Sequence, residues 1–202
     1  MRARRPLALL ALLSTGLFTL PLFTACSGGG ASFPDRNEVS AAQLLWCQTL
    51  AKGHGGESWD QLATCKGASP TGSAPYLKLM SKCFDARRAT MGDKAYDDAQ
   101  IATDCRDDVG FKMPADDPSG SGVIEARCRW TERCAKVAPA ECRAAFGKLE
   151  GAQRVQLTTI YNSGARQAIA DCLDSAGCQS DEDAAKEACY KPSTEKLLFF
   201  PH

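Results

Sequence analysis

The chain has 202 residues, 24 Lys or Arg balanced by 24 Asp or Glu, and 11 cysteines. A nucleic-acid-binding protein needs a basic surface that displaces counterions from phosphates, so this charge balance argues against that class. Cysteines at this density are typical of an oxidising compartment, because the cytosol keeps thiols reduced. The composition therefore predicts an exported protein that does not bind nucleic acid.

The N-terminal segment has the features of a secretory signal. Arginines at positions 2, 4 and 5 precede an apolar stretch from Leu7 to Phe23, and small residues precede Cys26. That order of basic head, apolar stretch and small residues is typical of a cleaved signal peptide. An uncleaved membrane span is the alternative, because the stretch is nearly long enough to cross a bilayer. Gly16 and Pro21 interrupt the stretch and favour a signal peptide over residues 1–25.

The last residues of this segment, Phe23-Thr24-Ala25-Cys26, resemble the lipobox of bacterial lipoproteins. The resemblance implies cleavage before Cys26 and a diacylglycerol thioether on its sulfur, often with a third acyl chain on the new amine. Two or three long acyl chains hold a protein on a bilayer almost permanently, whereas one chain binds reversibly. Ser27, which is not Asp, implies the outer membrane by the same resemblance. We therefore expect a protein anchored to the cell envelope through lipid on Cys26.

Beyond Cys26 the sequence predicts a short tether and two helical stretches. Residues 26–35 are rich in glycine and serine, a composition typical of a flexible tether. Apolar residues then recur with a helical period over 36–110 and 123–190, and no run alternates with the period of a strand. Glycines and prolines divide each stretch into four short helices, and the Pro- and Gly-rich segment 111–122 is a predicted linker.

The two stretches also match each other in sequence. Lys82-Cys83-Phe84-Asp85 aligns with Asp171-Cys172-Leu173-Asp174, and Thr103-Asp104-Cys105 aligns with Glu187-Ala188-Cys189. Ser73 before Ala74-Pro75 and Ser180 before Asp181-Glu182-Asp183 are predicted helix starts. The predicted fold class is all-α, with two related, disulfide-stapled four-helix units.

Ten cysteines remain when Cys26 is set aside, and an even number can all be paired. None has the CxxC spacing that a zinc ribbon or a thioredoxin-type site requires, so we expect neither a metal nor another cofactor. Helical hairpins favour one set of pairs: Cys47–Cys65, Cys83–Cys105, Cys128–Cys142, Cys172–Cys189 and, as the extra pair, Cys134–Cys178. A rival set joins Cys134 with Cys142, Cys178 with Cys189, and Cys128 with Cys172, and the sequence leaves both open.

Cysteine pairs on helical hairpins behind a lipobox resemble the small cysteine-rich helical lipoproteins of myxobacterial type. The likeness covers most of the chain after Cys26 and depends on cysteine spacing. That group implies no shared activity, so it adds nothing about catalysis.

Candidate catalytic residues are few. His54 lies in the loop Lys52-Gly53-His54-Gly55-Gly56-Glu57-Ser58, where glycines allow the backbone to approach a ligand. A solvated turn is the favoured interpretation, with Ser58 capping the helix of Trp59, because no second core histidine supplies a base. The paired carboxylates Asp97-Asp98, Asp107-Asp108 and Asp116-Asp117 are predicted to lie on solvated helix faces, since adjacent helical residues diverge by about 100°.

The C-terminal tail, residues 191–202, carries the apolar run Leu197, Leu198, Phe199 and Phe200. These residues either dock on the protein's own core or bind an envelope protein, and docking is favoured because exposed apolar patches are rare. The sequence thus favours a lipid-anchored structural or protein-interaction module over an enzyme. The alternative is an envelope hydrolase that uses the His54 loop.

Overall fold

The computed structural model describes residues 34–91, 97–115, 118–178 and 181–200. The predicted signal peptide, Cys26 and most of the tether lie outside these ranges. Within them the chain forms nine α-helices: α1 Arg36–Gly53, α2 Leu62–Gly67, α3 Ala74–Met91, α4 Asp98–Lys112, α5 Ser121–Ala135, α6 Pro139–Gly147, α7 Gly151–Leu157, α8 Ser163–Ser175 and α9 Glu182–Thr194. Two 3-10 helices, Gly56–Ser58 and Pro118–Gly120, and one isolated β-bridge between Gly72 and Tyr161 complete this part of the chain.

The all-α prediction is confirmed, and the described residues form one compact unit. Its hydrophobic core is continuous across both predicted stretches: Trp46, Leu77 and Phe84 of the first lie in the same cluster as Val155, Ile169 and Leu173 of the second. The division into two related units remains a prediction about the internal sequence match. No helix in the described ranges combines the length and apolar character needed to cross a membrane.

Several helix boundaries differ from the sequence prediction. α4 continues through Gly110 to Lys112, and α5 begins at Ser121, so both helices enter the predicted linker 111–122. Burial of Val109 and Met113 stabilises the end of α4 by more than the roughly 1 kcal/mol that a helical glycine costs.

The third of the four helices predicted for the second stretch, with apolar positions from Leu157 to Cys172, is divided between two helices, α7 and α8. The break occurs because the Asn162 side chain accepts a hydrogen bond from the Ala165 amide at 2.8 Å and begins α8 there.

The predicted helix starts have different outcomes. Ser73 does begin α3: its hydroxyl accepts from the Tyr76 amide at 3.4 Å and donates to the Thr159 carbonyl at 2.8 Å. Ser180 lies outside the described residues, and Asp181 caps α9 by accepting from the Ala184 amide at 2.7 Å. The prediction for Ser58 was wrong, because it lies in a 3-10 helix and donates to the Gly55 carbonyl at 2.8 Å.

Five disulfides link neighbouring helices, and they are the first of the two sets considered from sequence. Each bond stays within one stretch: Cys47–Cys65 and Cys83–Cys105 in the first, Cys128–Cys142, Cys134–Cys178 and Cys172–Cys189 in the second. They join α1 to α2, α3 to α4, α5 to α6, α5 to the segment after α8, and α8 to α9. Short helices of this kind are marginal alone, so the covalent links and the shared core hold them in place.

Arg129 of α5 and Asp174 of α8 form an ion pair in which two guanidinium nitrogens lie 2.6 and 2.9 Å from the carboxylate oxygens. The hydrogen bond from Arg129 lowers the pKa of Asp174 below 3.8, outweighing the effect of burial, and the charges of Arg129 and Arg133 act in the same direction. A lowered pKa contributes stability that is present above 3.8 and is lost as pH falls below it.

We therefore expect Asp174→Asn to flatten the loss of stability on acidification below about pH 4. Urea unfolding at a series of pH values measures this, with Asp60→Asn, a change at an exposed carboxylate, as the control. A variant that loses stability with acid as steeply as the parent would contradict the assignment.

Candidate functional site

The C-terminal tail lies on the protein's own core. Leu197 and Leu198 are 6% and 8% exposed, while Phe199 and Phe200 are half-buried against the core cluster. The Trp46 indole N–H donates to the Phe199 carbonyl at 2.9 Å, and the Trp46 ring meets Phe200 edge to face at 5.7 Å between centroids. The four residues weighed as a partner-binding run thus form part of the folded body.

A backbone hydrogen bond secures the tail against the segment before α3: the Thr71 amide donates to the Lys196 carbonyl at 2.9 Å. The Thr71 carbonyl accepts from the Asn162 amide at 2.7 Å, which joins the same segment to the start of α8. A Cβ atom on Gly72 would lie only 2.6 Å from the Leu197 carbonyl oxygen. Glycine at this position therefore allows the tail to approach closely.

His54 belongs to a charged cluster at one end of the bundle. Its Nε2 lies 2.7 Å from Oδ2 of Asp98, and the Arg88 guanidinium lies 3.6 Å from Oδ1 of the same carboxylate. The His54 ring stacks on Trp59 with 5.3 Å between centroids. The cluster joins the end of α1, the end of α3 and the start of α4.

The prediction that Asp98 lies on a solvated face was wrong. Its side chain is only 11% exposed, because Arg88 of α3 and His54, which directly follows α1, cover it. Asp97 caps α4 by accepting from the Ala99 and Gln100 amides. Asp116 and Asp117 lie outside the described residues.

Two further observations assign a structural role to this cluster. Arg88 also donates to the Thr49 and Leu50 carbonyls at the end of α1. Ser58, the nearest hydroxyl in sequence, donates to the Gly55 carbonyl. The cluster can thus connect three helix ends electrostatically, and the proton of the Ser58 hydroxyl is directed at a backbone carbonyl.

A concavity lies beside the docked tail, and we call it the α4–α9 cavity. Its volume is about 680 Å³. Its walls come from both stretches and the tail: Arg106 of α4, Leu157 at the end of α7, Tyr161 just after it, Tyr190 of α9, and Leu198 and Phe200 of the tail. Sequence reasoning missed this site, because its residues are distant along the chain and follow no motif.

Metal binding has no support from the geometry in the described ranges, which hold no group of three or more His, Cys, Asp or Glu side chains able to surround an ion. No protein-family model matches this sequence, and neither a curated protein nor a solved structure is significantly similar to it.

Proposed function

We propose that this chain is a lipid-anchored protein of the cell envelope and that it acts as a protein-interaction module. One observation carries the proposal. Ten of the 11 cysteines form five disulfides, and the cysteine that remains is Cys26, which ends the lipobox-like tetrapeptide. The thiol of an odd cysteine in an exported chain has to be explained, and acylation of Cys26 explains it. Ser27 favours the outer membrane by resemblance.

The interaction role accounts for the body better than hydrolysis does. An enzyme of the His54 type needs a nucleophile within hydrogen-bond reach of the imidazole, and the nearby Ser58 hydroxyl instead donates to a backbone carbonyl. His54 itself contacts Asp98 and Trp59, which are parts of the framework. A disulfide-linked helical body with an open cavity is suited to holding a partner.

Acylation is tested by growing cells with labelled fatty acid. We expect label on the wild-type chain, and Cys26→Ala should lose both the label and cleavage of the leader. Ser27→Ala is the matched control, because it changes the next residue and keeps the thiol. The variant should retain the label.

Labelled fatty acid on the Cys26→Ala chain would contradict the anchor, and so would an unlabelled wild-type chain of full length. Carbonate extraction distinguishes the acylated chain from the unacylated chain independently, because a chain held by two or more acyl groups stays with the membrane.

A further inference from the structure

The five disulfides differ in the exposure of their cysteines. Four of them contain at least one buried cysteine, and these buried residues are Cys47, Cys65, Cys105, Cys128 and Cys189. The fifth, Cys134–Cys178, contains none, because Cys134 is half-buried and Cys178 is exposed. All ten paired cysteines lie in the described ranges, and Cys178 is the exposed one among them. This bond is therefore the most open to a reagent in solution.

The space beside Cys178 is open as well. Cys178 lies on the segment between α8, which ends at Ser175, and α9, which begins at Glu182. Gly177, its neighbour, is exposed, and a Cβ atom at Gly177 would have no atom of another part of the chain within 4 Å. An approaching side chain thus finds room on this side of the bond.

Access decides which disulfide a thiol can attack. A thiolate breaks a disulfide by attacking one sulfur and displacing the other, so it must reach the attacked sulfur. A buried cysteine becomes reachable only when the surrounding helices open, and that opening costs free energy. Exposed disulfides are accordingly the labile ones, whereas buried structural disulfides resist reduction. These rules select Cys178 as the point of attack.

Non-covalent contacts would hold the helices together after this bond opens. The Arg129–Asp174 ion pair joins α5 to α8 beside the disulfide. Arg133 donates to the Leu173 carbonyl at 3.2 Å and to the Ala176 carbonyl at 2.9 Å. The other four disulfides remain closed in such a state. Reduction of this single bond is thus compatible with a folded chain.

Opening the bond would still change the connections of the fold. Cys134–Cys178 closes a segment with a sequence separation of 44 residues, the longest of the five. It is also the one disulfide among the five that starts on α5 and ends beyond α8. Its reduction would leave the contact between α5 and α8 without a direct covalent link.

We propose that Cys134–Cys178 is a thiol–disulfide exchange site and that its partner is a dithiol protein of the CxxC type. One thiolate of the partner attacks Sγ of Cys178, the disulfide breaks, and Cys134 leaves as a thiolate that takes up a proton. The second thiol of the partner, after losing its proton, attacks the mixed disulfide and releases Cys178, which is protonated in turn. The partner dithiol is oxidised by two electrons to a disulfide, and Cys134 and Cys178 become two thiols. The exchange depends neither on acylation of Cys26 nor on the proposed interaction role, so each can fail separately.

The rate of reduction tests the exchange site. The full-length chain, in nanodiscs when it is extracted from membranes, is treated with dithiothreitol, and free thiols are blocked with iodoacetamide at successive times. Peptide mapping then locates each blocked cysteine. We expect Cys134 and Cys178 to become blocked at least about tenfold faster than the other eight, because the buried bonds react only after local opening. Circular dichroism should show that helicity is retained during this fast step.

A trapping experiment identifies the attacked sulfur. The probe is a thioredoxin-type protein with serine in place of its second active-site cysteine, which stops the reaction at the mixed disulfide. It should stay linked to Cys178. A chain with both Cys134→Ala and Cys178→Ala should trap none of the probe, and the matched control with both Cys83→Ala and Cys105→Ala should trap it as the parent does.

Reduction of all five bonds at one rate would overturn the proposal, and so would fast reduction of a different bond. Loss of helicity in step with the opening of Cys134–Cys178 would show that the chain must unfold first, which the proposal excludes. A probe linked to Cys134 or to another cysteine, or no trapped probe on the parent chain, would likewise contradict it.

Discussion

Reduction of the five disulfides is expected to unfold the helical body. The bonds close segments with sequence separations from 14 to 44 residues. In the chain-entropy model each such loop stabilises the fold by about 3 to 4 kcal/mol. Five contributions of this size exceed the roughly 5 to 15 kcal/mol of net stability that is typical of a domain. Far-ultraviolet circular dichroism before and after treatment with a phosphine reductant measures the loss of helix.

Removing one disulfide at a time gives a finer test of the same expectation. Replacing both Cys134 and Cys178 by alanine opens the longest loop, and replacing both Cys128 and Cys142 opens the shortest. The first pair of changes should lower the free energy of unfolding more than the second, by about 4 kcal/mol against about 3 kcal/mol in the loop-entropy model. Denaturant unfolding measures both. A reduced chain that keeps its helicity and its unfolding midpoint would contradict the account, because the core alone would then hold the short helices.

Truncation after Glu195 is the second change with a large expected effect. It removes Leu197 and Leu198 from the core, and each buried leucine contributes about 1.5 to 3 kcal/mol. It also deprives the Trp46 N–H of its acceptor, the Phe199 carbonyl, at a further cost of about 1 to 3 kcal/mol. The free energy of unfolding should therefore fall by at least about 4 kcal/mol, with a clear drop in melting temperature.

Two substitutions serve as controls for the truncation. Leu198→Ala keeps the chain length and should destabilise by about 2 to 5 kcal/mol, since it opens a cavity beside the tail. Phe111→Ala removes a large apolar side chain that is 74% exposed and should change stability by less than about 0.5 kcal/mol. A truncated chain with the same melting temperature as the intact chain would show that the tail is dispensable for the fold.

Sequence patterns predicted the features that depend on local physics. Helical periodicity and the absence of strand alternation gave the fold class, and Ser73 before Ala74-Pro75 marked the start of α3. Hairpin reasoning included the observed pair Cys47–Cys65 among its alternatives. These features follow from residues that are close in the chain, where spacing constrains geometry.

Features that depend on long-range packing were not predicted. Asp98 was predicted to be solvated because its covering residues, Arg88 of α3 and His54 after α1, are distant in the sequence. Ser58 is a local exception: it was expected to cap a helix, but Gly55 and Gly56 adopt positive φ values beside the 3-10 helix that contains it. Contacts between distant segments carry no periodic signal, so only the folded chain reveals them.

Mass spectrometry of the unreduced, membrane-extracted protein tests the central claim most directly, because one digest reports the mature N-terminus and every cysteine. The account predicts an N-terminal peptide that begins at Cys26 and carries a diacylglycerol thioether, together with five disulfide-linked peptides that contain the other ten cysteines. An N-terminal peptide from upstream of Cys26, or a disulfide between Cys26 and any other cysteine, would contradict it.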